Sequence, residues 1–181
     1  MLRPLRYFEG YLMEKIKRAL DWFVPLLNSR QIPFHVTGGL AAYLYGARRP
    51  VNDIDVDMPA SHINSLITVV PEYVESTPAR CRDATWDLYV ATINFEGQLI
   101  DLAADEAAFI HNKSTGTWDP LAINLRDVVW IDAFGHRLPV QNPRDLVSYK
   151  EKIAYDESKH LYDIEAVLRY LSPEEVKPAA S

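Results

Sequence analysis

Between residues 7 and 27 apolar side chains recur at spacings of three and four: Phe8, Leu12, Ile16, Leu20, Phe23 and Leu27. That period gathers them on one face and predicts a helix from Tyr7 to about Leu27, with Pro25 as a place for a kink or an end. The pieces that follow are shorter. Phe34 to Thr37 reads as a strand running into Gly38-Gly39, and Leu40 to Tyr45 as a short helix stopped at Gly46. From Val51 to Met58 the period is two: Ile54, Val56 and Met58 share one face, and Asp53, Asp55 and Asp57 share the other. Ser61 to Val70 predicts a helix, with Ser61 as its cap and Pro71 beyond its end. Trp86 to Phe95 and Gln98 to Ala103 predict two strands joined around Glu96-Gly97, and Val128 to Asp132 and Arg137 to Val140 a hairpin around Phe134-Gly135. From Pro143 onward the pattern is helical. Leu146, Ile153, Leu161, Ile164, Val167, Leu168 and Leu171 form its apolar stripe, split near Asp156 to Ser158. This order predicts an α+β fold: a mixed β-sheet with helices packed on one side, plus C-terminal helices.

Composition narrows the classes. The 181 residues suit one domain, taken as 1–172, with a loose tail at 173–181. Apolar residues at 48% and charged residues at 24% exclude wholesale disorder. A net charge of −6 makes the chain a poor general binder of phosphate backbones. The single cysteine, Cys81, excludes an intramolecular disulfide and a multi-cysteine zinc site, and suits a reducing cytoplasm. No stretch is apolar and long enough to span a bilayer, and the charged N-terminus reads as neither signal nor anchor, so no membrane partner is expected.

The candidate chemistry lies between His35 and Met58. Alternate side chains on a strand project about 6.5–7 Å apart, so Asp53, Asp55 and Asp57 crowd like charges that raise one another's pKa unless a cation intervenes. Mg²⁺ suits such oxygens and also bridges phosphates. A solvated acidic face is the plainer reading of the acids alone. Gly38-Gly39, between a strand and a helix, allows close backbone approach to a phosphate. Asp101 is an acid within the apolar run Gln98 to Ala103, and would meet Asp53 and Asp55 if the strands are neighbours. The five histidines form no HExxH or close pair; His35 and His160 could lie near the site, but isolated histidines read first as structural. Tyr43, Tyr45 and Trp86 read as core rather than base-stacking residues.

Strand, Gly-Gly, short helix, Asp-x-Asp on the next strand and a later strand Asp together resemble the nucleotidyltransferase superfamily built on the polymerase-beta catalytic core. Arg49 and Asp53-Ile-Asp55-Val56 match an Arg-x-x-x-Asp-h-Asp-h run (h, apolar) found in small bacterial members, including lincosamide-type and toxin-type nucleotidyltransferases. Lys150, Lys159 and Asp163 match a lysine on one helix and a Lys/Arg-x-x-Asp run on the next. The resemblance implies two Mg²⁺ ions on Asp53, Asp55 and Asp101, and a nucleoside triphosphate whose β- and γ-phosphates lie against Gly38 and Gly39. It implies charge neutralisation by Arg49, Lys150 and Lys159, and transfer of a nucleoside monophosphate to a hydroxyl of a small molecule, a protein or a tRNA. Two departures stand out: Leu40 replaces the serine that many members carry after the second glycine, and Asp57 is an extra acid, read as secondary. Leu40 and the small size of the chain keep open a non-catalytic protein of the same fold, binding a nucleotide or a protein partner as in a toxin–antitoxin pair. A metal-dependent phosphohydrolase using the same acids ranks third.

Overall fold

The structure is a computed structural model that describes residues 4–154 and 157–172, with side chains from residue 10 onward. The tail at 173–181 lies outside the described residues, as does Asp156 within the expected break near Asp156 to Ser158; on either side one helix ends at Ile153 and the next begins at Ser158. Helix α1 spans Pro4–Ser29 and continues past Pro25 without ending there. Its inner face, Ile16, Leu20, Phe23 and Leu27, is fully buried as the period requires, and each such side chain contributes roughly 1.5–3 kcal/mol.

Strand β1 (His35–Val36) leads into helix α2 (Gly38–Leu44), whose first turn is made by the glycine pair itself. Strand β2 (Asp53–Met58) follows, then helix α3 (Ala60–Val69), which begins after Pro59 without a side-chain cap from Ser61. Strands β3 (Val74–Arg82), β4 (Trp86–Phe95), β5 (Gln98–Ala104), β6 (Phe109–Asn112) and β7 (Thr117–Pro120) form an antiparallel run. The hairpin β8 (Val128–Ala133) and β9 (His136–Gln141) precedes helices α4 (Pro143–Ile153) and α5 (Ser158–Leu171). Helix α4 starts cleanly: Asn142 accepts from the Arg144 N–H at 2.9 Å and Pro143 occupies the first turn.

The strands order as β7-β6-β4-β5-β2-β1-β9-β8, with β3 on the outer edge of β4. The sheet is mixed, because β2 runs parallel to β5 and antiparallel to β1. Ile54, Val56 and Met58 of β2 and Ile100 and Leu102 of β5 are fully buried, and join α1 and α3 in one hydrophobic core. The expected α+β architecture is therefore present, with helices packed to one side and two more at the C-terminal end.

Three strands escape the sequence reading. β3 is largely exposed, carries register shifts and holds Pro78, which suits an edge strand and breaks alternation. β6 and β7 are only four residues each. In α5 the apolar stripe also needs correction. Val167 is fully buried, whereas Leu161 and Leu168 are about half exposed, because the buried face turns Asp163 and Ala166 inward instead.

Candidate functional site

Register decides which acids meet. Asp55 sits opposite Asp101 across the parallel β2–β5 pair, and Thr92 sits opposite Asp101 across β4–β5. Asp53 lies one step along the same face of β2. The Thr92 hydroxyl donates to Asp101 at 2.7 Å and orients that carboxylate. Asp53, Asp55 and Asp101 have no ion-pair partner among the described residues. Burial first, then the charges of Asp53 and Asp101, push Asp55 up to about 7, with the Gly39 N–H at 3.4 Å giving only partial relief. Burial also pushes Asp101 up; the Thr92 bond opposes it and the charge of Asp53 adds to it.

The third acid of β2 is committed elsewhere. Asp57 faces His35 across β1–β2, and the two are bonded at 2.7 Å with His35 fully buried. His35 thus acts within the fold, and Asp57 is removed from the exposed row.

The glycines have a different immediate purpose from the one their sequence suggests. Gly38 has φ +62°, and a Cβ there would lie 1.7 Å from Asp55 Oδ2. A Cβ on Gly39 would lie 3.2 Å from Arg49 Nη2. The missing side chains make room for an acid and a guanidinium of the site itself. Leu40 is fully buried in the core, so no hydroxyl follows the glycine pair.

On this flank three elements converge. Arg49, from the loop before β2, donates through Nε and Nη2 to the two oxygens of Asp163 at 2.7 and 2.6 Å. Lys150 of α4 donates to Asp163 Oδ2 at 3.0 Å. Lys159 does not join them: it is 58% exposed and pairs with Glu157 at 3.3 Å. All three cations nonetheless line one cleft of about 520 Å³ together with both glycines and the three unpaired acids. Part of its remaining wall is apolar, with Trp86, Leu88, Val90, Leu121 and Ile153, and part is polar, with Asn52, Asp83, Gln141 and His160.

Several contributors were not singled out from the sequence. Thr92 is one. Tyr149, buried beside Asp55 at the cleft wall, has its phenol held well above its usual pKa by burial and then by that carboxylate. Its ring meets Trp86 edge-on at 5.9 Å, so Trp86 belongs to the cleft as well as the core. Thr37 donates to Gln141 at 2.5 Å across the mouth of β1 and β9. Cys81 also lines the cleft, but its neighbours Arg80 and Arg82 are engaged with Asp87.

The donor set is one a hard divalent cation prefers: oxygen only, negatively charged and uncompensated. As the side chains stand, however, no group of three or more His, Cys, Asp or Glu among the described residues is drawn together closely enough to hold a metal ion. An open row of this kind suits Mg²⁺, which is commonly held by one or two carboxylates together with substrate phosphates, rather than by an all-protein cage. No described helix is long and apolar enough to cross a membrane.

No protein-family model matches the chain, and no curated protein matches it. Solved structures do. A candidate nucleotidyltransferase from Thermotoga maritima aligns over 96% of this chain and 96% of its own, with a TM-score of 0.55 and 20% identity. The lincosamide antibiotic adenylyltransferase LnuA, solved with lincomycin, aligns over 84% and 96%, with a TM-score of 0.57 and 13% identity. ANT(2″)-Ia, solved with adenylyl-2″-tobramycin, aligns over 88% and 91%, with a TM-score of 0.57 and 15% identity. At such identities the likeness is one of backbone architecture, and the chain has the polymerase-beta-like nucleotidyltransferase fold.

Proposed function

We propose that this protein is a nucleotidyltransferase that moves a nucleoside monophosphate from a nucleoside triphosphate to a hydroxyl. The observation that carries the reading is the row Asp53, Asp55 and Asp101, which lies in register on neighbouring strands, lacks a cationic partner among the described residues, and is flanked by Gly38, Gly39, Arg49 and Lys150. Asp53, Asp55 and Asp101 are the residues that would hold Mg²⁺. When bound, that ion supplies Lewis-acid polarisation of phosphate oxygens and of the attacking hydroxyl.

The chain's own groups divide the rest of the work. Asp101, oriented by Thr92 and with its proton affinity raised by burial, takes the proton of the acceptor hydroxyl. Gly38 and Gly39 bring backbone close to the triphosphate, and Arg49 and Lys150 offset the charge that grows on the departing pyrophosphate. Lys159 serves at the rim. Trp86, Leu88 and Val90 give the cleft an apolar side against which a ligand packs. The acceptor is a hydroxyl on a small molecule, a protein or a tRNA.

One observation favours a second reading, a nucleotide-binding protein without turnover, with or without a protein partner as in a toxin–antitoxin pair: Leu40 is locked in the core where a phosphate-gripping hydroxyl would help. Calorimetric titration with the four ribonucleoside triphosphates, with and without Mg²⁺, tests the site. Binding that requires Mg²⁺ and vanishes in Asp53→Asn/Asp55→Asn is expected. Transfer of label from an α-labelled triphosphate should fall in that variant by at least about 10²–10³-fold, the scale for removing groups that stabilise transition-state charge. A folded double variant with full transfer would overturn the assignment, and nucleotide binding without any transfer would favour the second reading.

A further inference from the structure

We propose that Asp163 is a positioning residue that fixes Arg49 and Lys150 as a two-cation clamp for the triphosphate. The proposal rests on the nucleotidyltransferase reading above and names the device that shapes its phosphate side.

Asp163 is fully buried, and both of its oxygens are occupied. The fork from Arg49 sets the plane of the guanidinium, since two parallel N–H bonds to one carboxylate leave little freedom. That plane lies against Gly39 and closes over the start of α2. Lys150 is 2% exposed, and a buried ammonium needs a counterion to keep its charge. Asp163 supplies it from a different helix. Two cations share one anion, which leaves one net positive charge on a wall of the cleft whose floor carries three unpaired acids. Both cations line the cleft, whereas Asp163 stands behind them and does not. It therefore acts through them, not on a ligand.

The sign of one substitution separates positioning from simple electrostatics. Were Asp163 only a nearby negative charge, neutralising it would tighten anion binding. As a positioning residue, its isosteric neutralisation frees the guanidinium and strands a buried ammonium, so binding weakens. The experiment is calorimetry on the whole chain with Mg²⁺-ATP and with Mg²⁺-tripolyphosphate as a probe of phosphate contacts alone. The variants are Asp163→Asn, Asp163→Glu, Lys150→Met and Asp163→Asn/Lys150→Met, with thermal melts on each.

Expected is a roughly 10-fold weaker affinity for both ligands in Asp163→Asn, the scale of a lost charge-assisted bond. The double variant should be less weakened than the product of the single effects, because both act on one unit. Asp163→Glu keeps the charge and displaces it by one methylene, so it too should bind more weakly, and it carries the test if Asp163→Asn does not fold. Affinity unchanged within twofold, or tightened, in a folded Asp163 variant overturns the clamp and leaves a structural brace. Wild-type protein that binds neither ligand overturns the nucleotidyltransferase reading, and the clamp with it, before any variant is compared.

Discussion

Asp163, fully buried, and Asp55, half-buried at the cleft, are both carboxylates drawn into the fold, which treats them in opposite ways. Burial drives Asp163 upward, but Arg49 and Lys150 outweigh it and hold the carboxyl below its ordinary pKa. Burial drives Asp55 upward as well, and there Asp53 and Asp101 add to the push, leaving it at about 7. One charge is closed internally, by three bonds to two cations. The other is left open among its own kind. A finished ion-pair network is scaffolding, whereas an unfinished one holds free energy that an incoming cation can release. The difference sets the unpaired acids of β2 and β5 apart from the closed ion-pair network centred on α5.

The comparison breaks most severely at Gly38. Gly38→Ala places a methyl group in the position of Asp55 Oδ2 and forces alanine to φ +62°. Left-handed strain and overpacking together should cost roughly 2–5 kcal/mol, read as a lower midpoint in chemical denaturation, with loss of Mg²⁺-dependent nucleotide binding.

Asp55→Asn should sharpen the contrast by stabilising the empty protein. Asp55 ionises near 3.8 in the unfolded chain and near 7 in the folded one, so the folded state binds more protons between those values. Stability should therefore fall as pH rises from about 4 to about 7, by up to about 4 kcal/mol from this group. In Asp55→Asn a thermal melt series should lose that part of the fall, and Mg²⁺ at pH 7.5 should raise the melting temperature of the wild type alone.

The smallest effect belongs to His160 at the edge of the clamp. Burial first, then Lys150 and Lys159, press its pKa down to about 4 from 6.5. The folded state holds the ring neutral while the unfolded chain protonates it. Stability present above pH 6.5 should thus be lost as pH falls toward 4, by up to about 3 kcal/mol. His160→Gln should flatten the melting temperature between pH 7 and pH 5, and an unchanged acid slope would show that the loss arises elsewhere.

Much of the floor of the site was legible because strands write their faces in alternation. V-N-D-I-D-V-D-M separates core from acid without any tertiary knowledge, and Ile54, Val56 and Met58 are buried accordingly. Even the Thr92–Asp101 contact was within reach. The turn at Glu96-Gly97, with positive φ at both residues, pairs Phe95 with Gln98 and so Thr92 with Asp101. The edge strands were not legible, because β3 packs too little to require alternation and β6 and β7 are too short to show a period. Nor could the sequence tell that the space over Gly38 and Gly39 belongs to Asp55 and Arg49, or that Lys159 turns to Glu157 while Lys150 turns inward. Those outcomes depend on how α5 docks, and no local pattern encodes it.

The Arg49–Asp163 fork joins residues 114 positions apart. At a synthesis rate of about 5–20 residues per second, roughly 6–23 seconds separate the making of the two. During that interval a growing chain acquires Asp53, Asp55 and Asp101 but lacks the anion that organises the opposite flank. A nascent chain halted before its last helix would display the acids with no clamp to face them, so the ribosome completes the floor of this cleft first and its grip last.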